Sequence, residues 1–587
     1  MCLWCGNSLI AESLTSGFSR SALNRRRFMA YAVSAGAAVA GMTASRPAKA
    51  ADGADVIFRN GTIIPMTGPQ RNVEALAIGG GKILAAGSLA EVSTLAGSAT
   101  EIVDLQGRTL LPGFIDPHNH TTLSALFADL LLDIGYAKYP KRADVFAPLK
   151  EAAAKTPPGQ WIRAGAFDNL LQGGDLSMKD LDAISTEHPI FVLYVNGHVG
   201  AANKMAFQLA KIPRDVGELP GGGHFGRGPD GELNGLIYEQ PALFRFIDIA
   251  LPPITPELVG NSLVSYARKA ASVGNTTLHE PGTVKPEWVK ALAKLSNTLD
   301  VRMSASLNTD SIEASKAFTS LGPGARARKL PDSRFSLYGI KFWADGSNQA
   351  ESAAQTKPYL HSALKGDANY TPARMTELCR AVKDAGWPIL IHCQGDAAVD
   401  DALDAIEQAY GANPATGLNM LQHATMARQD QLDRVKRLGV EITFLPDLLY
   451  LYGAAYRDQI FGPERTAFME PMAASLKAGI VFSLHTDAPV SPSGPLRLVQ
   501  IAVTRRCAID HSLIGPDQAI SIDEALKAIT IHAARHIGLE DTIGTLEPGK
   551  EADLTILESD PYKTDPEKIM SIKVSETWVA GEKKYSS

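Results

Sequence analysis

The 587-residue chain is predicted to be an α/β protein built on a (β/α)8 barrel, with a small composite β-sandwich made from both chain ends and an inserted α/β subdomain. Three observations predict this. Apolar strand-like runs alternate with helical stretches between residues 113 and 542, the signature of parallel strands joined by helices. The segments 51–112 and 543–587 share another texture, short alternating strands broken by glycine. One connection, residues 125–265, is far too long for a simple crossover and reads as an insertion.

Residues 1–50 read as a leader. Asn24-Arg25-Arg26-Arg27-Phe28-Met29 resembles a twin-arginine export signal and is followed by an uncharged, mildly apolar stretch from Phe28 to Ala44 and by Ala48-Lys49-Ala50, an A-x-A cleavage pattern. That stretch is too short and too rich in alanine and glycine for a membrane span. Cleavage after Ala50 and a periplasmic mature protein, delivered by the twin-arginine machinery and free of the membrane, are therefore expected. The leader's six basic residues against Glu12 account for +5 of the chain's −6, leaving −11 on the rest. An acidic body disfavours nucleic acid and anionic membrane as partners. Five cysteines, two of them at Cys2 and Cys5 in the leader, make no disulfide framework.

The composite domain starts with Val56 to Ile64, Ala75 to Gly87 and Ile102 to Leu111, read as antiparallel strands, and returns in Ala552 to Leu557 and Val574 to Val579. Eight barrel strands are placed at Phe114–His120, Thr276–Glu280, Arg302–Leu307, Tyr338–Asp345, Pro388–Gly395, Asn419–Thr425, Glu441–Pro446 and Val481–Asp487. In such a barrel the chemistry sits at the carboxyl ends of the strands. There the sequence puts His118 and His120 on the first strand, Lys341 on the fourth, His392 on the fifth, His423 on the sixth and Asp487 on the eighth. Strand alternation turns His118 and His120 to one side, the first half of a metal site. Any one of these residues alone would pass as a packing or turn residue; their joint placement at separate strand ends does not.

This pattern resembles the amidohydrolase superfamily, and more closely its amidohydrolase-3 branch, the YtcJ-like and N-substituted formamide deformylase-like proteins. The resemblance runs from about Ala54 to Gly581 and is carried also by Gly339-Ile340-Lys341-Phe342-Trp343-Ala344-Asp345-Gly346, by Asn196-Gly197-His198-Val199-Gly200-Ala201-Ala202-Asn203-Lys204 and by Ile543-Gly544-Thr545-Leu546-Glu547-Pro548-Gly549-Lys550-Glu551-Ala552-Asp553. It implies a TIM-like barrel and a divalent metal cofactor, two zinc ions bridged by a carboxylated Lys341, or one if that lysine is unmodified. It further implies that His118, His120 and Asp487 hold one ion and that His392 and His423 hold the second. Neutral imidazoles and carboxylates suit such a cation, whereas a bare ammonium repels it, so Lys341 becomes a ligand only if its amine loses a proton and adds carbon dioxide to form an anionic carbamate. A metal lowers the pKa of a bound water from about 15.7 toward 7, and Asp487 then acts as general base and, later, acid.

The expected function is hydrolysis of an amide, N-acyl or N-formyl C–N bond in a small molecule. Lactone, ester or carbamate hydrolysis on the same site is the near alternative, and a non-catalytic binding or regulatory protein that retains the barrel is the distant one. His198, Asn203, His485 and Asp345 are candidates for touching substrate or orienting a ligand. His279-Glu280 stands where the branch commonly has His-Asp, and both residues are left as candidates beside the metal. The glycine-rich segment 217–235 is expected to be a mobile cover rather than a phosphate loop, since no Gly-Lys-Ser/Thr follows. A homo-oligomer is compatible with the sequence but not specified by it.

Overall fold

The computed structural model describes residues 53–68, 72–219, 223–321, 326–411 and 419–587. The expected leader, with its arginines and cleavage pattern, lies outside the described residues, as do Gly221 and Gly222.

Eight parallel strands run in chain order through one sheet: Phe114–Asp116, Asn275–Glu280, Arg302–Asn308, Phe335–Trp343, Ile389–Cys393, Met420–His423, Glu441–Phe444 and Phe482–Leu484. Each pairs with the next in parallel register. Just past the strand ends the sheet is drawn closed. Asp487 N donates to His118 O at 3.0 Å and His120 N to Ala488 O at 2.9 Å. The fourth strand is buried along its whole length, as a strand covered on both faces must be.

The expected strands are all present, but the first is shorter than the spacing suggests. It ends at Asp116, because Pro117 has no N–H to give the ladder. Asn119 N instead bonds to His279 O at 2.8 Å, so the two histidines are presented by backbone anchored to the neighbouring strands rather than by regular strand alternation.

The chain ends form one continuous eight-stranded sheet. Its order runs Glu582–Ser586, Val574–Val579, Leu554–Leu557, Thr109–Pro112, Ala54–Ile63, Val73–Gly79 and Lys82–Gly87, with Ala96–Asp104 also pairing to Ala54–Ile63. Leu554–Leu557 pairs antiparallel with Thr109–Pro112, which stitches the two ends together, and Phe58 packs edge-on against Trp578 with ring centres 5.3 Å apart. The sheet is mixed, where the sequence suggested antiparallel strands only: Ala96–Asp104 and Thr109–Pro112 lie parallel to Ala54–Ile63. The cause is the short helix Leu89–Ser93, which carries the chain back over the sheet and is fixed by a capping box between Ser88 and Glu91. This sheet is fastened to the barrel by Arg302, whose guanidinium reaches Asp553 at 2.6 Å and Glu551 at 2.9 Å, all largely buried.

Residues Thr122–Ser262 form a separate compact unit. Its six-stranded sheet runs Leu132–Asp133, Ile162–Phe167, Ile190–Tyr194, Val199–Ala202, Leu233–Tyr238 and His224–Arg227. Leu149, Phe167, Leu181, Val192 and Tyr194 fill the core beneath it. The glycine-rich segment, expected as a loose cover, is largely a hairpin of this sheet. His224–Arg227 pairs antiparallel with Leu233–Tyr238, and the His224 ring stacks on Tyr238 at 4.7 Å.

Candidate metal centre

At the carboxyl ends of the barrel strands, the histidines expected from sequence meet in a pocket without solvent exposure. The His118 ring lies 5.3 Å from that of His120, 4.9 Å from His423 and 4.7 Å from His485, while His392 and His423 are 4.7 Å apart. Asp487 Oδ1 stands at their centre, 3.1 Å from His118 Nε2 and 3.2 Å from His120 Nε2. Two overlapping sets could hold a metal ion: His118, His120 and Asp487, and His118, His423 and His485.

Burial alone does not distinguish such a cluster from a packed core; the hydrogen bonds do. Neither ring nitrogen of His118 or His120 makes an aligned hydrogen bond, and the same holds for His392 Nδ1, His423 Nε2 and Asp487 Oδ1. Buried polar atoms are almost always satisfied. Convergent nitrogen lone pairs and a carboxylate oxygen form the donor set of a zinc-like cation, so the residues present fit the expected metal. The other ring nitrogens are fixed by the surroundings: His392 Nε2 donates to Gly346 O at 3.0 Å, and His423 Nδ1 pairs with His485 Nε2 at 3.1 Å.

Charge in the pocket follows from burial and from neighbours. Burial, aided by the charge of Lys341, pushes His392 down to about 3 and His118 well below the usual imidazole range. Burial likewise drives His423 down and takes His485 to about 3. His120 is the exception. Burial pulls it down too, but Asp487 and Glu280 outweigh that and raise it to about 9. Burial would raise Asp487, yet His120 and the surrounding imidazoles hold it at about 2.

Lys341 lies fully buried in the same field, its ammonium against the Gln422 amide oxygen and 5.6 Å from the Trp343 ring centre. The Asp345 carboxylate accepts three backbone N–H bonds, from Gln394 at 2.9 Å, Gly395 at 2.8 Å and Ala354 at 3.0 Å, and so shapes the turn after the fifth strand. Its one link to the site is His392 Nε2, 3.6 Å away. His279 is structural as well, with Nδ1 3.0 Å from Ser304 Oγ and Nε2 2.7 Å from Ser306 Oγ. Glu280 reaches His120 Nδ1 at 3.8 Å.

The two insertion candidates stand in the other compact unit. His198 Nδ1 is 3.0 Å from the Glu239 carboxylate. Asn203 does not fit the substrate-binding expectation. Its oxygen accepts from Ala206 N and Ile190 N and its amide donates to Ser185 O and His188 O, so its four bonding sites are spent on capping the helix Lys204–Leu209 and closing the loop before it.

Sequence reasoning missed Asp116. Its carboxylate accepts from Asn119 Nδ2 at 3.0 Å, from Thr486 N at 3.3 Å and from the Thr486 hydroxyl, and so ties the histidine segment to the segment bearing Asp487. The signal was present, since Asp116, His118 and His120 fall at alternate positions.

The sequence profile of the amidohydrolase family matches residues 101–585. The chain is 28% identical over 544 residues to Protein LONG AFTER FAR-RED 3 of Arabidopsis thaliana, covering 91% of this chain and 92% of that one. It is 26% identical over 554 residues to N-substituted formamide deformylase of Arthrobacter pascens, covering 90% and 98%. Among solved structures, an uncharacterized metal-dependent hydrolase from Pyrococcus horikoshii shares the fold with a TM-score of 0.69 at 24% identity, over 87% of this chain and 99% of that one. With more than four-fifths of its length matched by the profile and a buried imidazole–carboxylate cluster at the barrel mouth, the chain belongs to the amidohydrolase family.

Proposed function

We propose that this protein is a metal-dependent hydrolase that cleaves the C–N bond of a small-molecule amide, with N-formyl and N-acyl amines as the first substrates to consider. The observation that carries this reading is the convergence of unsatisfied imidazole nitrogens on Asp487 Oδ1 in a buried pocket. The formamide deformylase relative supports the bond class.

In this reading His118, His120 and Asp487 hold one zinc ion, and His392 and His423 a second. Bound there, the metal acidifies water and polarises the substrate carbonyl. Asp487 is ionised at neutral pH, so it can take a proton from the attacking water and hand it to the departing amine. The carbamate on Lys341 belongs to the same proposal. An ammonium buried among His118, His392 and His485 opposes cation binding, whereas a carboxylated amine removes that charge and supplies anionic oxygens. A thiol nucleophile is poorly supported by Cys379, Cys393 and Cys507. All three are buried, with burial pushing Cys379 up to about 12 and Cys393 well above the ordinary thiol value.

The test is hydrolysis of a panel of N-formyl and N-acyl amines by the zinc-loaded protein beside Asp487→Asn. Loss of a general base should lower kcat by roughly 10²–10⁴-fold. Turnover of lactones or esters instead of amides would reassign the bond. Zinc-loaded protein inactive on all of them would favour a binding or regulatory role.

A further inference from the structure

One buried side-chain amide beside Lys341 is only half bonded, and the hydrolytic reading gives it no task. Gln422 is 0% exposed. Its oxygen Oε1 accepts from the Lys341 Nζ–H, while its nitrogen Nε2, which carries two N–H donors, has no hydrogen-bond partner. Buried donors are rarely left so. Strand pairing sets Gln422 level with His392 on one side and Thr443 on the other, all three on one face of the sheet. Neither neighbour takes up the free donors: His392 bonds to Gly346 O and its Nδ1 is itself unpartnered, and the Thr443 hydroxyl lies between Ser483 Oγ and His485 Nδ1. Lys341 starts lower on the same face, opposite Leu390, and its side chain rises to Gln422. The stem of the lysine is held by the backbone of Gly282, which passes so close that a Cβ there would meet Lys341 Cβ and Cγ at 2.7 Å.

A carbamate on Lys341 completes this amide. The lone pair of the neutral amine adds to the carbon of carbon dioxide, one C–O π bond opens onto oxygen, and one N–H proton leaves to water, so Lys–NH2 and CO2 give Lys–NH–COO⁻ and H⁺. The product is planar, as an amide is, and keeps one N–H with a carbamate oxygen on the same side. It therefore presents a donor beside an acceptor. The Gln422 amide presents the reverse. Oε1 takes the carbamate N–H, as it takes the lysine N–H here, and Nε2–H reaches the anionic oxygen beside it. A lysine ammonium has donors only and offers Nε2 nothing. The paired bonds also fix the turn of the group about Cε–Nζ, and with it the direction of both oxygens.

We propose that Gln422 is the positioning residue for a carbamate on Lys341: its amide clasps the group by two hydrogen bonds, aims its oxygens and favours its formation from carbon dioxide. The inference rests on the reading that Lys341 is carboxylated.

Carbon-13 NMR of the full-length, zinc-loaded protein in labelled bicarbonate reads the carbamate directly, as a carbonyl signal that Lys341→Ala lacks. Gln422→Met keeps the length of the side chain without either bond. The bicarbonate concentration that half-saturates the signal should rise about tenfold in this variant, the size expected for lost bonds to a charged group. Excess bicarbonate should then restore its signal and its zinc content to those of wild type, a rescue that a damaged barrel would not show. Half-saturation within twofold of wild type, or a loss that bicarbonate does not repair, overturns the inference. Gln422→Leu replaces Gln422→Met if the latter does not fold. A crystal structure of the zinc-loaded wild type decides without any variant: Gln422 Nε2 about 3 Å from a carbamate oxygen is expected, and Nε2 bonded elsewhere overturns the clasp. No carbamate in the wild type would instead sink the carboxylation reading itself; a wild-type signal matched by Gln422→Met would sink only the clasp.

Discussion

Asp487 and Lys341 make the sharpest demands of any single residues. If the lysine carries the bridging carbamate, Lys341→Ala should lower bound zinc from two ions per chain to one, and the intact mass of the wild type should exceed its sequence mass by one carbon dioxide; equal stoichiometry in both proteins would remove the bridge from the reading. A different residue governs how stability varies with pH. Glu470 is fully buried, and burial raises it to about 8 despite bonds from Thr425 and the Leu445 N–H. A carboxyl that binds its proton more tightly when folded contributes stability below its unfolded value near 4.3, and that contribution fades as pH rises toward about 8. Glu470→Gln keeps the shape without the titration, so its Tm relative to wild type should improve steadily from pH 5 to pH 8. A constant difference would mean that Glu470 does not change charge over this range. Residues of this kind mark the limit of sequence reading. His118, His120, His392, His423 and Asp487 were legible because each follows an apolar strand and has few other reasons to stand there. Asp116 and Glu470 were not, because an acid near a turn looks the same whether it meets solvent or is buried among hydrogen bonds.

At the scale of elements, the eight strands could be placed because parallel barrel strands are apolar over most of their length and are separated by helical stretches. What could not be read was how the chain leaves them. The first strand stops two residues before His118, and the geometry of the pair is set by Asp116, Thr486 and the backbone of His279, contacts between segments hundreds of residues apart. The parallel strands of the chain-end sheet were hidden for a similar reason, since a five-residue helix decides their direction. Arg302 was equally silent, although it joins two elements. It opens the third barrel strand, is 5% exposed, and pairs with Asp553 and Glu551 at the edge of the chain-end sheet. Asp553 also accepts the Ala580 N–H at 2.7 Å, so the carboxylate holds both carboxyl-terminal segments. Arg302→Met keeps the volume and leaves two acids without their cation, a change that should cost roughly 3–5 kcal/mol. Urea unfolding should show it as a lower midpoint, and a midpoint unchanged from wild type would mean that the pairing adds nothing to the join between sheet and barrel.

At the scale of the whole molecule, we propose export by the twin-arginine route. Among the described residues no helix is long and apolar enough to cross a membrane. The body's charge of −11 offers no attraction to an anionic surface. The export proposal rests on residues 24–50, and the first strand of the chain-end sheet supports the proposed cleavage point. Ala54 N already donates to Leu95 O at 2.8 Å, so processing after Ala50 would release a mature chain with every strand of that sheet intact. A buried cluster of metal-binding groups also suits a route that moves proteins already folded, because metal could be loaded before export. Expression in a Gram-negative host should therefore yield periplasmic protein whose mass begins at Ala51. Arg25→Lys combined with Arg26→Lys keeps the charge while removing the paired guanidinium groups, and should leave full-length protein in the cytoplasm with its metal content unchanged. Wild-type protein found unprocessed in the cytoplasm, or a double variant exported as well as wild type, would overturn the twin-arginine assignment while leaving the metal centre as it stands.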